Sequence, residues 1–262
     1  MAQQESAPRT PAWESAIVAR RYYLEGKQKS EIADELGISR FKVARILDEA
    51  LAQGVVTIEV ALPDGLDLEL GDALAARFGI RRAVVTLAQE GVPTIDVLGA
   101  AGARVLQARL GADDTLGLSW GSTLTAVVDA SRSTVVSQIV QLVGGVASVG
   151  LEVNGVELLR RLARSSDATV WPLHAPFLVG SAGLARQLRE DPSLAPTIDR
   201  FSDITVALVG IGSLATGKSA LWTELDVAAR AELTRLGAVA DLAGCILASD
   251  GSIITADALD RV

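Results

Sequence analysis

KSEIADELGISRFKVARILD, residues 29–48, places small and apolar side chains where two helices crossing through a tight turn need them. Ile32, Ala33 and Leu36 share one face of a first helix, and Val43, Ile46, Leu47 and Ala50 recur at helical spacing on a second. Gly37 between them permits a left-handed turn residue, and the small Ala33 lets the two helices approach. Ser39 is placed to cap the second helix by accepting from a first-turn N–H. The pattern predicts a helix-turn-helix. Arg40, Phe41, Lys42, Ala44 and Arg45 then point outward from the N-terminal half of the second helix, the part that reaches base edges in the major groove. Lys29 and Ser30, at the start of the first helix, complete the candidate DNA surface, and the expected partner is double-stranded operator DNA. Asp48 and Glu49 would be repelled by phosphate, so only the first turns should enter the groove.

Charge divides the chain unevenly. Residues 1–57 hold eight Lys and Arg against eight Asp and Glu; the remainder holds sixteen against twenty-four, which accounts for the net charge of −8. A neutral module on an acidic body should bind DNA through a few local phosphate contacts, with Lys29, Lys42 and Arg20 or Arg21 as candidates. The acidic part is not a nucleic-acid surface.

The chain has 262 residues, 49% hydrophobic and only 4% aromatic, enough for one small domain and one sizeable core of Ala, Val, Leu and Ile. The single cysteine, Cys245, excludes an internal disulfide framework, and its neighbours Ile246 and Leu247 suggest a buried structural thiol. MAQQESAPRTP at the start is no signal peptide, and no apolar run is long enough to span a bilayer, so a cytoplasmic protein is expected. No cofactor or metal is called for.

Outward from the motif, residues 1–11 are expected to be disordered, and residues 12–62 to form a winged helix-turn-helix. Its first helix runs from Trp13 to Gly26 with Trp13, Ile17 and Leu24 on one face; Val55 to Ala61 supplies the wing strand. Leu66, Leu70 and Leu74 recur on a linking helix within residues 63–81, a place for dimer contacts. From residue 82 onward strands and helices alternate. Strands are expected at Ala83–Leu87, Thr115–Ser119, Val136–Leu142, Thr169–Leu173, Ile204–Val209 and Cys245–Leu247. Helices are expected at Ile95–Leu110, Thr123–Ala130, Val153–Ser165, Ala182–Arg189, near Ile198 and at Leu225–Leu236. Such alternation predicts an α/β domain with a parallel sheet, whose ligands sit beyond the carboxyl ends of the strands.

Two strand-to-helix loops carry chemistry. In Gly117-Leu118-Ser119-Trp120-Gly121-Ser122-Thr123, free backbone N–H groups, the helix dipole and two hydroxyls favour an anion, most simply a phosphate; the alternative is that Ser122 and Thr123 merely cap the helix. Gly212-Ser213-Leu214-Ala215-Thr216-Gly217-Lys218-Ser219 matches the phosphate-binding P-loop string. Only 44 residues follow Lys218, too few for the strands and magnesium carboxylate of a P-loop enzyme, so nucleotide binding is disfavoured.

Taken in order, the helix-turn-helix, GLSWGSTL at 117–124, QLVGG at 141–145, LHAPFLVG at 173–180, DITVALVGIGS at 203–213 and GAVADLAGCILASDG at 237–251 resemble the SorC/DeoR-type sugar-responsive bacterial transcriptional regulators. The resemblance implies a winged helix-turn-helix joined to an effector domain, residues 82–262, similar in fold to ribose-5-phosphate isomerase and glucosamine-6-phosphate deaminase. It also implies a dimer or tetramer and a sugar or sugar-phosphate effector. It assigns Ser119, Gly121, Ser122 and Thr123 to the phosphate turn and lines the same crevice with Gln141, Gly144 and Gly145. By the same resemblance Gly210 and Gly212 let backbone approach the ligand, and Asp241 and Asp250 accept sugar hydroxyls.

Two departures stand out: Ala240 replaces a family glycine, and the chain stops at Arg261-Val262, where family members continue into a further strand and helix that help hold the effector. The competing class is an isomerase- or deaminase-like enzyme. The only histidine, His174, reads as a structural residue at an apolar strand end rather than a general base, and a fused DNA-binding module makes catalysis an unpromising primary role, so no catalytic residue is assigned.

Overall fold

The computed structural model describes residues 10–59, 65–146, 155–215 and 219–262. Two compact units part between residues 64 and 65.

The first unit is helical: α1 (Ala12–Ala19) continues into a π-helical turn (Arg20–Leu24), followed by α2 (Lys29–Leu36) and α3 (Arg40–Ala52). Gln28 and Glu31 form a capping box at the start of α2, and Gly37, at φ 63°, ends it. The Ile38 N–H reaches back to the Ala33 carbonyl at 3.0 Å, and Ile38 packs on the core, so the turn is closed by one backbone bond and one apolar contact. Ile32, Ala33, Val43, Ile46, Leu47 and Ala50 are buried together with Val18 and Ala19 of α1. The core face of α1 is not the expected one. Ser15, Val18 and Ala19 turn inward, whereas Trp13 and Leu24 are 67% and 82% exposed. Small side chains allow α1 to lie close to α3, and the bulky row is left outside.

Residues 1–9 and 60–61, parts of the expected tail and wing strand, lie outside the described residues. Thr10 does not belong to a disordered tail: it is buried, and its N–H donates to the Glu49 carboxylate at 3.2 Å. Residues 55–59 form no strand.

The second unit opens with α4 (Leu68–Phe78), then α5 (Thr94–Arg109), β1 (Thr115–Leu118), α6 (Ser122–Ala130), β2 (Gln138–Gln141), α7 (Gly155–Ala163) and β3 (Thr169–Trp171). It continues through α8 (Ala182–Arg189), α9 (Ala195–Ile198), β4 (Val206–Leu208), β5 (Ile211–Ser213), α10 (Ala220–Glu224), α11 (Val227–Arg235), β6 (Ala238–Leu242) and β7 (Cys245–Ala248). The first four strands make a parallel sheet in the order β3-β2-β1-β4, with β1 fully buried at its centre. Leu116, Leu118 and Ile139 pack there against Leu106 of α5, Leu124 and Val127 of α6 and Leu158, Leu159 and Leu162 of α7. Gly99 and Gly102 hold α5 tight on α6: a Cβ at Gly99 would come within 2.8 Å of the Ala126 backbone.

Three departures from the expected α/β pattern have local causes. Ala83–Leu87 forms no sheet strand; Thr86 bridges Leu66, and the Leu87 N–H donates to the Gly65 carbonyl. β5, β6 and β7 form a separate antiparallel sheet, so Cys245–Leu247 is not a parallel strand. ADLAGCILA reads as one apolar run, but Ala243 (φ 49°) and Gly244 (φ 90°) make a two-residue hairpin turn within it. Cys245, first in the return strand, is exposed and not a buried thiol.

Candidate DNA-binding and effector sites

On α3, Ser39 caps the helix by accepting from the Lys42 N–H at 3.2 Å. With Val43, Ile46, Leu47 and Ala50 buried, Phe41 and Arg45 project farthest from the core, and Phe41 is 73% exposed. Arg40 and Lys42 flank them, also exposed, and Ala44 is half-buried. The Arg40 guanidinium lies 5.0 Å from the Phe41 ring centre, and Arg45 reaches Glu49 at 3.6 Å, an ion pair that DNA would have to compete for. Lys29 and Ser30 are exposed at the start of α2, with the Lys29 ammonium 5.6 Å from the Tyr22 ring centre. Arg20 and Arg21 are engaged with Glu25 and Glu35. The less engaged cations of this unit thus sit at the N-terminal ends of α2 and α3.

In the second unit, β1 delivers its carboxyl end into a crevice of about 670 Å³. Ser119, Gly121, Ser122, Thr123, Gly210, Gly212 and Asp241 all line it, with Trp120, Leu124, Phe177 and Ser219. Gly121 adopts φ 151°, ψ 161°, a conformation in which a side chain is strained, and this releases the chain into α6. No side chain caps α6. The first N–H groups of the helix are therefore open toward the crevice, with the positive end of the dipole behind them. Ser119 is buried and the Ser122 side chain is exposed.

The aromatic wall is fixed. The Trp120 indole N–H donates to the Gly144 carbonyl at 2.8 Å, and its ring meets Phe177 edge-on at 5.4 Å. Opposite, the Asp241 carboxylate accepts from the buried Ser219 hydroxyl at 2.8 Å and from the Gly244 N–H at 3.0 Å. The Ser219 oxygen in turn accepts from the Trp222 N–H and caps α10. Asp241 is the only charged side chain among the described lining residues. Ser219 and Phe177 escaped the sequence reading. Ser219 was hidden in the P-loop-like string, and nothing local marks Phe177 as facing a site.

Gln141, Gly144, Gly145 and Asp250 are not in this lining. The Gln141 side chain is buried and spent on the backbone, donating to the Val143 carbonyl at 2.7 Å and accepting from the Leu173 N–H at 3.2 Å. Gly144 permits close packing, since a Cβ there would lie 2.5 Å from the Pro176 backbone, and Gly145 bridges Pro176. Asp250 closes the turn after β7, where the Ser252 hydroxyl and amide hold its carboxyl below the usual range. His174 is exposed and lies outside the crevice lining, so it is not the structural residue the sequence suggested.

The P-loop-like string is dismantled by the fold. Gly212 and Ser213 belong to β5 of the antiparallel sheet, Ser219 is tied to Asp241, and the helix that follows has five residues; Thr216, Gly217 and Lys218 lie outside the described residues. Among the described residues no cluster of His, Cys, Asp and Glu is placed to hold a metal ion, and no helix is long and apolar enough to cross a membrane.

A helix-turn-helix unit followed by a parallel-sheet unit with an uncapped helix at its central strand defines a ligand-responsive DNA-binding regulator. Residues 65–262 match the family described as "Putative sugar-binding domain", and the chain belongs to the SorC/DeoR family of sugar-responsive transcriptional regulators. It is 28% identical over 243 residues to the transcriptional regulator LsrR of Enterobacter sp. (strain 638), spanning 92% of this chain and 74% of that one. It is 27% identical to the deoxyribonucleoside regulator of Bacillus subtilis (strain 168), spanning 76% and 65%. The full-length sorbitol operon regulator SorC of Klebsiella pneumoniae shares the fold, with a TM-score of 0.69 at 24% identity over 96% of this chain and 82% of that one. These relatives are described as transcriptional regulators, and this chain is a regulator of the same family.

Proposed function

We propose that this regulator grips operator DNA with the N-terminal half of α3 and that a phosphorylated sugar, bound with its phosphate against the start of α6, changes its operator affinity. Residues 12–62 are the DNA-binding module in this reading, 63–81 the linker and 82–262 the effector domain. The protein acts as a homo-oligomer in the cytoplasm.

The observation that carries the proposal is the start of α6: glycine at the cap position, no side-chain cap, and two hydroxyl residues, all lining the crevice. Those donors suit an anion and have no hydrogen-bond partner among the described residues. The wall of Trp120 and Phe177 suits the C–H face of a sugar ring. One observation favours a second reading, a neutral sugar: the sole charge in the described lining is the Asp241 carboxylate.

The test is operator binding by fluorescence anisotropy, with each of a panel of pentose and hexose phosphates and the parent sugars. A phosphorylated member that shifts the operator midpoint, and whose parent sugar does so only at far higher concentration, supports the proposal. If no phosphate shifts it but a free sugar does, the neutral reading replaces it.

A further inference from the structure

Helix α4 is left almost bare by its own unit. Of its eleven residues only Gly71 is buried, seated against the Ala83 carbonyl. Leu70, Leu74 and Phe78 recur at four-residue spacing and form one row along the helix. Leu70 is 47% and Phe78 65% exposed, and Leu74 is half-buried. The adjacent row is Glu69, Ala73 and Arg77, acidic at the N-terminal end and basic at the C-terminal end. Among the described residues neither Glu69 nor Arg77 has an ionic partner; the Arg77 guanidinium rests 5.5 Å from the centre of the Phe78 ring.

This arrangement is self-complementary only when run backwards against itself. With a two-fold axis beside Leu74, Leu70 of one copy faces Phe78 of the other, Leu74 faces its own equivalent, and Glu69 lies alongside Arg77 at both ends. A parallel pair would instead carry the two Glu69–Arg77 rows to opposite sides of the seam, where neither charge meets one of opposite sign. A closed two-fold interface requires such a match of a surface with itself. We propose that α4 pairs antiparallel with α4 of a second copy of this chain, through the Leu70–Leu74–Phe78 row and two Glu69–Arg77 ion pairs. The proposal deepens the homo-oligomer part of the functional reading and rests on it. It also gives that oligomer a use, because a helix-turn-helix reads two half-sites when a dimer holds two recognition helices in fixed register.

Glu69 and Arg77 are eight residues apart, about 12 Å along one helix, and cannot pair within it. Charge reversal therefore separates this proposal from a merely structural role. The experiment is sedimentation velocity on the full chain, without DNA, over a range of concentrations. The wild type should dimerise. Glu69→Arg and Arg77→Glu should each weaken the dimer on the order of tenfold, since each reversal acts at two symmetry-related sites. The double variant Glu69→Arg/Arg77→Glu should restore wild-type association. A dimer that neither single reversal weakens, or that the double reversal fails to restore, overturns the α4 pairing and leaves oligomerisation elsewhere intact. A wild-type monomer at every concentration overturns both.

Discussion

Replacing Asp241 by Ala tests whether the crevice floor is held by one carboxylate. Its two oxygens accept from the Ser219 hydroxyl at 2.8 Å and the Gly244 N–H at 3.0 Å. Ser219 is almost fully buried, and its oxygen already accepts from the Trp222 N–H, so the hydroxyl proton has little choice of direction. Truncation leaves two donors without acceptors at about 1–3 kcal/mol each, so Asp241→Ala should cost roughly 2–6 kcal/mol. Asp241→Asn keeps the shape and one acceptor oxygen for Gly244 but turns an amide donor toward the Ser219 hydroxyl, which loses its acceptor, so it should cost about 1–3 kcal/mol, less than Asp241→Ala. The assay is urea unfolding followed by intrinsic fluorescence, because Trp120, Trp171 and Trp222 all lie in the second unit. Asp241→Ala within about 0.5 kcal/mol of wild type, or less stable by no more than Asp241→Asn, would refute the reasoning.

Other expectations follow from the same geometry. In operator-binding titrations Arg40→Ala and Arg45→Ala should each lose about 1–3 kcal/mol of discrimination if they pair with guanine, while Lys42→Ala should weaken all sequences alike; unchanged operator affinity in both arginine variants would remove α3 from the groove. A coupled ATPase assay should detect no turnover by the wild type, and Lys218→Ala should leave operator binding unchanged, because the string around it begins in an antiparallel strand. The Asp114 carboxyl is held below its ordinary range by the Thr205 hydroxyl and then by the Gly111 amide. Its stabilising contribution is therefore present above the unfolded-state pKa, near 4, and is lost as pH falls through the lowered folded value. Asp114→Asn should therefore be less stable than wild type at neutral pH, and the difference should shrink as the pH falls below about 4; urea unfolding of both proteins across this range checks it, and a difference independent of pH would contradict it.

The helix-turn-helix was legible because its constraints are local. A glycine at φ 63°, a serine cap and an apolar repeat all lie within twenty residues and agree in register. The strand-to-helix turn from β1 through Gly121 into α6 was legible for the same reason. The assignments that failed depend on distant partners. Gln141 was assigned to the crevice by the family resemblance alone, and the Leu173 N–H, brought alongside by β3, occupies its oxygen. Nothing near Gly144 in sequence tells of the Pro176 backbone packed against it. The hairpin at Ala243-Gly244 was missed because alanine rarely takes positive φ, so an apolar run concealed a reversal of direction. Trp13, Ile17 and Leu24 do share a face of the first helical stretch, but periodicity alone does not say whether a face turns inward.

The central claim is that the start of α6 receives the anionic group of the effector. Isothermal titration calorimetry measures this directly, with the tightest binder among pentose 5-phosphates and hexose 6-phosphates compared against its parent sugar. Both are titrated into the wild type and into Ser122→Ala/Thr123→Ala. The account predicts that the phosphorylated form binds at least about tenfold more tightly to the wild type. It further predicts that this advantage shrinks but persists in the variant, whose backbone N–H donors remain. Equal affinity for the free and phosphorylated sugar in the wild type would contradict it.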